Sequence, residues 1–95
     1  MDDQLKVGVI GATIRVDVVE TLVSPTDMRI YYKKPSGETD YFTASADGTT
    51  HIKYKTTSIT DIDESGLWIF EAYIIMTGFT GFGKRDSTCI EANIV

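Results

Sequence analysis

From residue 13 onward apolar and polar side chains alternate in short runs, the period-two signature of strands with one buried face. Residues 13–18 put Ile14, Val16 and Val18 on one side and charged residues on the other. Residues 24–27, Ser-Pro-Thr-Asp, carry turn chemistry, after which Met28, Ile30 and Tyr32 alternate along 28–33. Pro35, Ser36, Gly37 and Glu38 predict a reversal into a strand at 39–44, and Asp47-Gly48 predicts another into 50–55, with Ile52 and Tyr54 inward. Residues 58–66 are polar with isolated isoleucines and too short for an independent helix, so they predict a corner crossing with one helical turn. The most apolar run, 67–76, sets Trp68, Phe70, Ala72 and Ile74 on one face and Ile69, Glu71, Tyr73 and Ile75 on the other, which predicts a central strand with a partly covered second face. Residues 78–83 read as a glycine-rich hairpin tip. Residues 86–94 read as a last strand, with Thr88, Ile90, Ala92 and Ile94 inward and Cys89 outward. No window has helical periodicity. The pattern predicts an all-β sandwich of about seven antiparallel strands, one domain over 1–95 with residues 1–5 as a flexible arm.

Composition sharpens this picture by exclusion. Hydrophobic residues make up 42% and charged residues 24%, which separates the chain from disordered sequences. The formal charge of -5 disfavours nucleic acid, because phosphate binding needs a concentrated basic surface. Here the cations fall in separate pairs: Lys33 and Lys34, Lys53 and Lys55, Lys84 and Arg85. They are expected to be solvated strand faces or edge protection. Cys89 has no cysteine partner, so the fold relies on its core. The acidic start lacks a secretory pattern and no apolar run approaches the roughly 18 residues of a membrane span, so the expected product is cytoplasmic, without membrane contact.

Candidate chemistry is sparse. Gly78-x4-Gly83-Lys84 resembles the start of a phosphate loop, but Arg85 replaces the Ser or Thr that would help hold magnesium, and a strand pattern follows instead of a helix. His51 lies in a strand without a nucleophile at a suggestive spacing. One Cys and one His cannot make a structural zinc site. Asp61, Asp63 and Glu64 could offer oxygens to calcium, while a corner would use the same carboxylates to accept backbone N–H bonds. The expectation is therefore no cofactor and no catalysis. Phe79 and Phe82 stand out, since a simple reversal has no need of two large aromatics between glycines. They either cap the core or meet a partner, with Tyr31, Tyr41 and Tyr73 as further interface candidates.

Two segments carry a family likeness: Ile30-Tyr31-Tyr32-Lys33-Lys34-Pro35-Ser36-Gly37-Glu38 and Asp61-Ile62-Asp63-Glu64-Ser65-Gly66-Leu67-Trp68-Ile69-Phe70-Glu71-Ala72-Tyr73. Together they resemble small immunoglobulin-like structural proteins of tailed bacteriophages, such as the N-terminal domain of baseplate upper proteins. There a strand ending K-P-D-G precedes an aspartate, glycine, x, tryptophan corner. The corner also resembles the one before strand F of immunoglobulin domains, with Trp68 where Tyr is usual, which makes Asp63, Gly66, Trp68 and Phe70 candidate core and corner residues. The chain departs from the baseplate protein in ending at Val95 without a fibre stalk. The resemblance implies an immunoglobulin-like β-sandwich acting as a non-enzymatic virion subunit at the capsid surface, neck, tail or a fibre adaptor. Its expected partners are other virion proteins and copies of itself. The alternative is a carbohydrate-binding module using the tyrosines and phenylalanines on a host-surface glycan.

Overall fold

The computed structural model describes residues 6–90, which contain seven strands and no helix. In chain order these are β1 (Thr13–Asp17), β2 (Asp27–Lys33), β3 (Thr39–Thr43), β4 (Ser45–Asp47), β5 (His51–Lys55), β6 (Gly66–Met76) and β7 (Phe79–Ile90). They form two antiparallel sheets packed as a sandwich, one ordered β1-β5-β4 and the other β3-β2-β6-β7. The expected flexible arm at 1–5, and Ala92 and Ile94, lie outside the described residues.

Alternation decides what lies between the sheets. Ile14 and Val16 of β1 and Ile52 of β5 face Ile30, Phe42, Trp68, Phe70, Ala72 and Ile74 of the other sheet, and all are buried. Strand β6 supplies the largest share because its even-numbered residues from Trp68 to Met76 all point inward, as its pattern predicts. Tyr32, Phe42 and Tyr54 extend the aromatic part of the core, with Phe42 stacked on Tyr54 at 4.4 Å between ring centroids.

Three details depart from the expected layout. The run after the second turn divides at Ala44: β3 pairs with β2, whereas the three-residue β4 pairs with β5 in the opposite sheet. The hairpin tip is only Thr77-Gly78, with Gly78 at φ 83° and Met76 paired directly to Phe79, so Phe79 and Phe82 are strand residues rather than loop residues. The crossing at 56–65 is a turn closed by the Asp61 N–H donating to the Ser58 carbonyl at 3.1 Å.

A bulge also bends the pairing of β6 with β7. Two steps along β6, from Glu71 to Tyr73, match three along β7, from Arg85 to Phe82. The extra residue lets both Phe82 and Arg85 face outward although they are an odd number apart. Gly83 sits in this bulge, where a Cβ would come within 3.0 Å of the Asp17 carbonyl oxygen and the Val18 Cα. Its missing side chain lets β7 lie against the end of β1 and close that side of the sandwich.

The segments at 34–38 and 61–68 form one corner. Trp68 is wholly buried and its indole N–H donates to the Glu64 carbonyl at 3.0 Å. Lys34, expected in solvent, is only 9% exposed; its ammonium bonds Asp63 at 2.9 Å and lies 5.8 Å from the centre of the Trp68 ring. Glu38 stands 3.5 Å from the same ammonium, and Glu64 accepts from the Ser36 N–H and hydroxyl. Gly66 takes φ 121°, and a Cβ there would fall 2.8 Å from Pro35 Cγ. Asp63 and Gly66 are thus corner residues and Trp68 and Phe70 core residues. The hydrogen bond to Asp63 raises the Lys34 pKa against the opposing effect of burial.

Two outcomes follow at this corner. Gly66→Ala is expected to cost at least about 1–3 kcal/mol in denaturant unfolding, because only glycine tolerates this backbone region, and Pro35→Ala should recover part of the loss by removing the clash. Lys34→Met should cost under about 1 kcal/mol, since Asp63 (41% exposed) and Glu38 (67% exposed) can return to water, whereas Asp63→Ala should cost about 1–3 kcal/mol by leaving a buried ammonium poorly paired. With its folded pKa raised, the Lys34 contribution is complete below about pH 10.4 and disappears as pH rises through the folded value, so the cost of Asp63→Ala should persist across neutral pH.

Candidate aromatic interface

The two sheets present opposite kinds of surface to their surroundings. Outward positions of β1, β5 and β4 are Thr13, Arg15, Asp17, His51, Lys53, Lys55, Ser45 and Asp47, with Arg15 paired to Asp47. This is an ordinary solvated face. The outward side of β3-β2-β6-β7 carries one aromatic ring from each strand: Tyr41, Tyr31, Tyr73 and Phe82.

Register explains why the four rings meet. Tyr31 pairs directly with Tyr41, Tyr73 pairs directly with Phe82, and Tyr31 lies diagonal to Tyr73 because its own partner on β6 is Glu71. Centroid separations are 5.3 Å for Tyr31 with Tyr41, 5.6 Å for Tyr31 with Tyr73 and 4.9 Å for Tyr73 with Phe82. Interplanar angles of 49°, 87° and 54° make these tilted and edge-on contacts, the arrangement ring quadrupoles favour. Arg29 fixes one flank: its guanidinium lies 4.5 Å over Tyr41, donates to the Tyr31 hydroxyl at 3.1 Å and pairs with Asp27 at 2.9 Å. Arg85 stands 3.5 Å from Glu71 on the other flank.

The rings hold one another in place yet remain open to a partner, with Phe82 50% and Tyr41 40% exposed. Beside them a groove of about 340 Å³ is bounded by Tyr31, Lys33, Ile69, Glu71, Phe82 and Arg85. Four of the five aromatics singled out from sequence therefore come together. Phe79 goes elsewhere, half-buried against the core on the inward side of β7.

The remaining candidate chemistry disperses. Asp63 binds Lys34, Glu64 binds Ser36, and Asp61 accepts from the Tyr54 hydroxyl at 2.8 Å and the Thr57 and Ser58 N–H groups at 2.9 and 3.2 Å. No three His, Cys, Asp or Glu side chains among the described residues gather where they could hold a metal. The glycine-lysine run is the turn residue Gly78 followed by extended β7 backbone, rather than a loop before a helix. His51 shares a 2.9 Å contact with the Thr50 hydroxyl on the polar face. No helix among the described residues is long and apolar enough to cross a membrane.

Burial works against the ionised form of Asp61, but the Thr57 N–H, Tyr54 hydroxyl and Ser58 N–H outweigh it and hold the carboxyl below its usual range. A depressed folded pKa adds stability above the unfolded value of about 3.9 that is lost as pH falls through the folded one. Asp61→Asn should accordingly lower stability by about 1–2 kcal/mol at neutral pH, and denaturant melts of the two proteins should converge as pH falls through the folded pKa. Among known proteins, no family model, curated protein or solved structure matches this chain.

Proposed function

We propose that this chain is a non-enzymatic, immunoglobulin-like structural subunit of a bacteriophage particle, made in the host cytoplasm, that works through protein contacts on its aromatic sheet face. The observation that carries the protein-contact part is the four-ring array of Tyr31, Tyr41, Tyr73 and Phe82 on the outward side of one sheet, while the outward side of the other is charged. Aromatic and arginine side chains are the types enriched at protein interfaces, and a contiguous apolar surface marks an interaction site.

Two features support the immunoglobulin-like part. The orders β1-β5-β4 and β3-β2-β6-β7 match strands B-E-D opposite strands C, F and G of an immunoglobulin sandwich, with one more strand beside C. The Trp68 N–H reaches the backbone carbonyl four residues upstream, as the hydroxyl of the tyrosine corner reaches back along its own chain. The phage assignment rests on the likeness of the two corner segments, and their mutual contacts account for those residues as parts of a fold.

Glycan binding is the competing function, favoured by the groove beside Phe82 with Lys33, Glu71 and Arg85 at its margin. Sugar stacking wants a flat ring face free of neighbours, whereas these rings lean on one another at 49° to 87°. That geometry fits side chains of another protein better.

Light scattering over a concentration series, together with a glycan array, separates the two. The protein-contact reading predicts a mass rising above the 10.5 kDa monomer, a loss of that rise in Phe82→Ser and no glycan signal. A monomer at every concentration that binds glycans through Phe82 would overturn it.

A further inference from the structure

Strand register turns the aromatic face into rows of side-by-side residues. The first row runs Asp27, Ile75, Thr80 and the second Arg29, Tyr73, Phe82. The third runs Tyr31, Glu71, Arg85 and the fourth Lys33, Ile69, Ser87. Strands β2, β6 and β7 thus each carry an outward series whose two ends are either opposite in charge or alike in kind. On β2 a carboxylate and an ammonium stand at opposite ends, on β6 an isoleucine stands at each end, and on β7 a hydroxyl stands at each end.

We propose that this face docks on the same face of a second copy, about a two-fold axis lying in the interface, perpendicular to the strands, between the second and third rows. Rotation about that axis lays the fourth row over the partner's first and the third over the partner's second. Lys33 then meets the partner's Asp27, Ile69 meets the partner's Ile75, and Ser87 meets the partner's Thr80. Nearer the axis, Glu71 accepts from the hydroxyl of the partner's Tyr73, and Arg85 covers the ring of the partner's Phe82. Every charged group in these pairs finds an opposite charge, a hydroxyl or a ring, and no like charges are opposed.

Shape and charge point the same way. The groove of about 340 Å³ lies over the third and fourth rows, so the rotation fills it with the partner's Tyr73 and Ile75. The four rows hold three cations, Arg29, Lys33 and Arg85, against two carboxylates, Asp27 and Glu71, on a chain whose formal charge is -5. Two copies can therefore meet here with the carboxylates responsible for that excess kept apart. Seven-residue stretches of β2, β6 and β7 and the five-residue β3, about 4.8 Å apart, cover on the order of 400 Å² per copy in projection, so two copies bury roughly 800 Å², the size of a weak, transient contact. Stacked twisted sheets keep their strands within about 30°, which shifts the outer rows by an amount a lysine side chain can span. An interface of this size makes a reversible dimer.

The inference rests on the protein-contact reading and names its partner. A charge exchange tests it, because Lys33 and Asp27 stand six residues apart on one extended strand, about 20 Å, and cannot touch within a chain. Sedimentation or light scattering of the full chain should show a monomer–dimer equilibrium. Lys33→Asp and Asp27→Lys should each weaken it by about ten-fold, and the double exchange should restore it to within about three-fold, with the monomer folded in every case. Phe82→Glu, in the row beside the axis, should abolish it. A wild-type monomer at all concentrations, or a dimer whose loss in the single variants is not recovered in the double, overturns the two-fold docking. Association that ignores all four variants also overturns it but leaves the protein-contact reading intact on another surface, whereas a monomer that binds glycans through Phe82 removes both.

Discussion

Everything at one end of this sandwich depends on burying Trp68 without stranding a polar group. The indole has one N–H, and the chain gives it the Glu64 carbonyl. The ring is then covered by the Lys34 side chain, whose own charge is met by Asp63 and Glu38. Burying an ammonium is costly in isolation, and here the cost is offset because its carboxylate partners sit partly in water and the ammonium lies over the indole ring. Gly66 is part of the same constraint: its positive φ and bare Cα let the chain pass Pro35 and enter β6 in register. Once Trp68 is placed, alternation along β6 dictates which residues of the central strand face the core and which face outward.

The outward consequence is the aromatic face. With Trp68, Phe70, Ala72 and Ile74 inward, Ile69, Glu71, Tyr73 and Ile75 must point away from the core. Tyr31 and Tyr41 reach the same side through direct pairing of β2 with β3, and Phe82 reaches it only because the bulge at Gly83 shifts the register of β7. A single-residue irregularity therefore completes a surface spread over four strands. The opposite sheet, with Arg15, Lys53 and Lys55 outward, has no comparable apolar surface.

Much of the architecture was legible in the alternation. The inward sets of β1, β2, β5 and β6 follow period two, and the turns at Gly37 and Gly48 lie where their residue types point. What escaped did so for physical reasons. Three residues cannot display a period, so β4 merged with its neighbours and the change of sheet at Ala44 went unseen. Three glycines within 78–83 read as turn residues and point to a loop around Phe79 and Phe82, whereas only Gly78 makes the turn and Gly83 makes room for β1. Lys34 passed for a surface lysine because its burial depends on Asp63 and Trp68, about thirty residues away. The aromatic site was half legible: its residue types were evident, but their grouping depends on cross-strand register, which only the fold supplies.

The central claim is that the β3-β2-β6-β7 face, and not the opposite one, meets a partner. Hydroxyl-radical footprinting of the full chain at dilute and concentrated conditions tests it most directly. The account predicts that oxidation of Tyr41, Tyr73 and Phe82 falls with concentration while that of His51 on the opposite face stays constant. Protection confined to the His51 side, or equal at both faces, would contradict it.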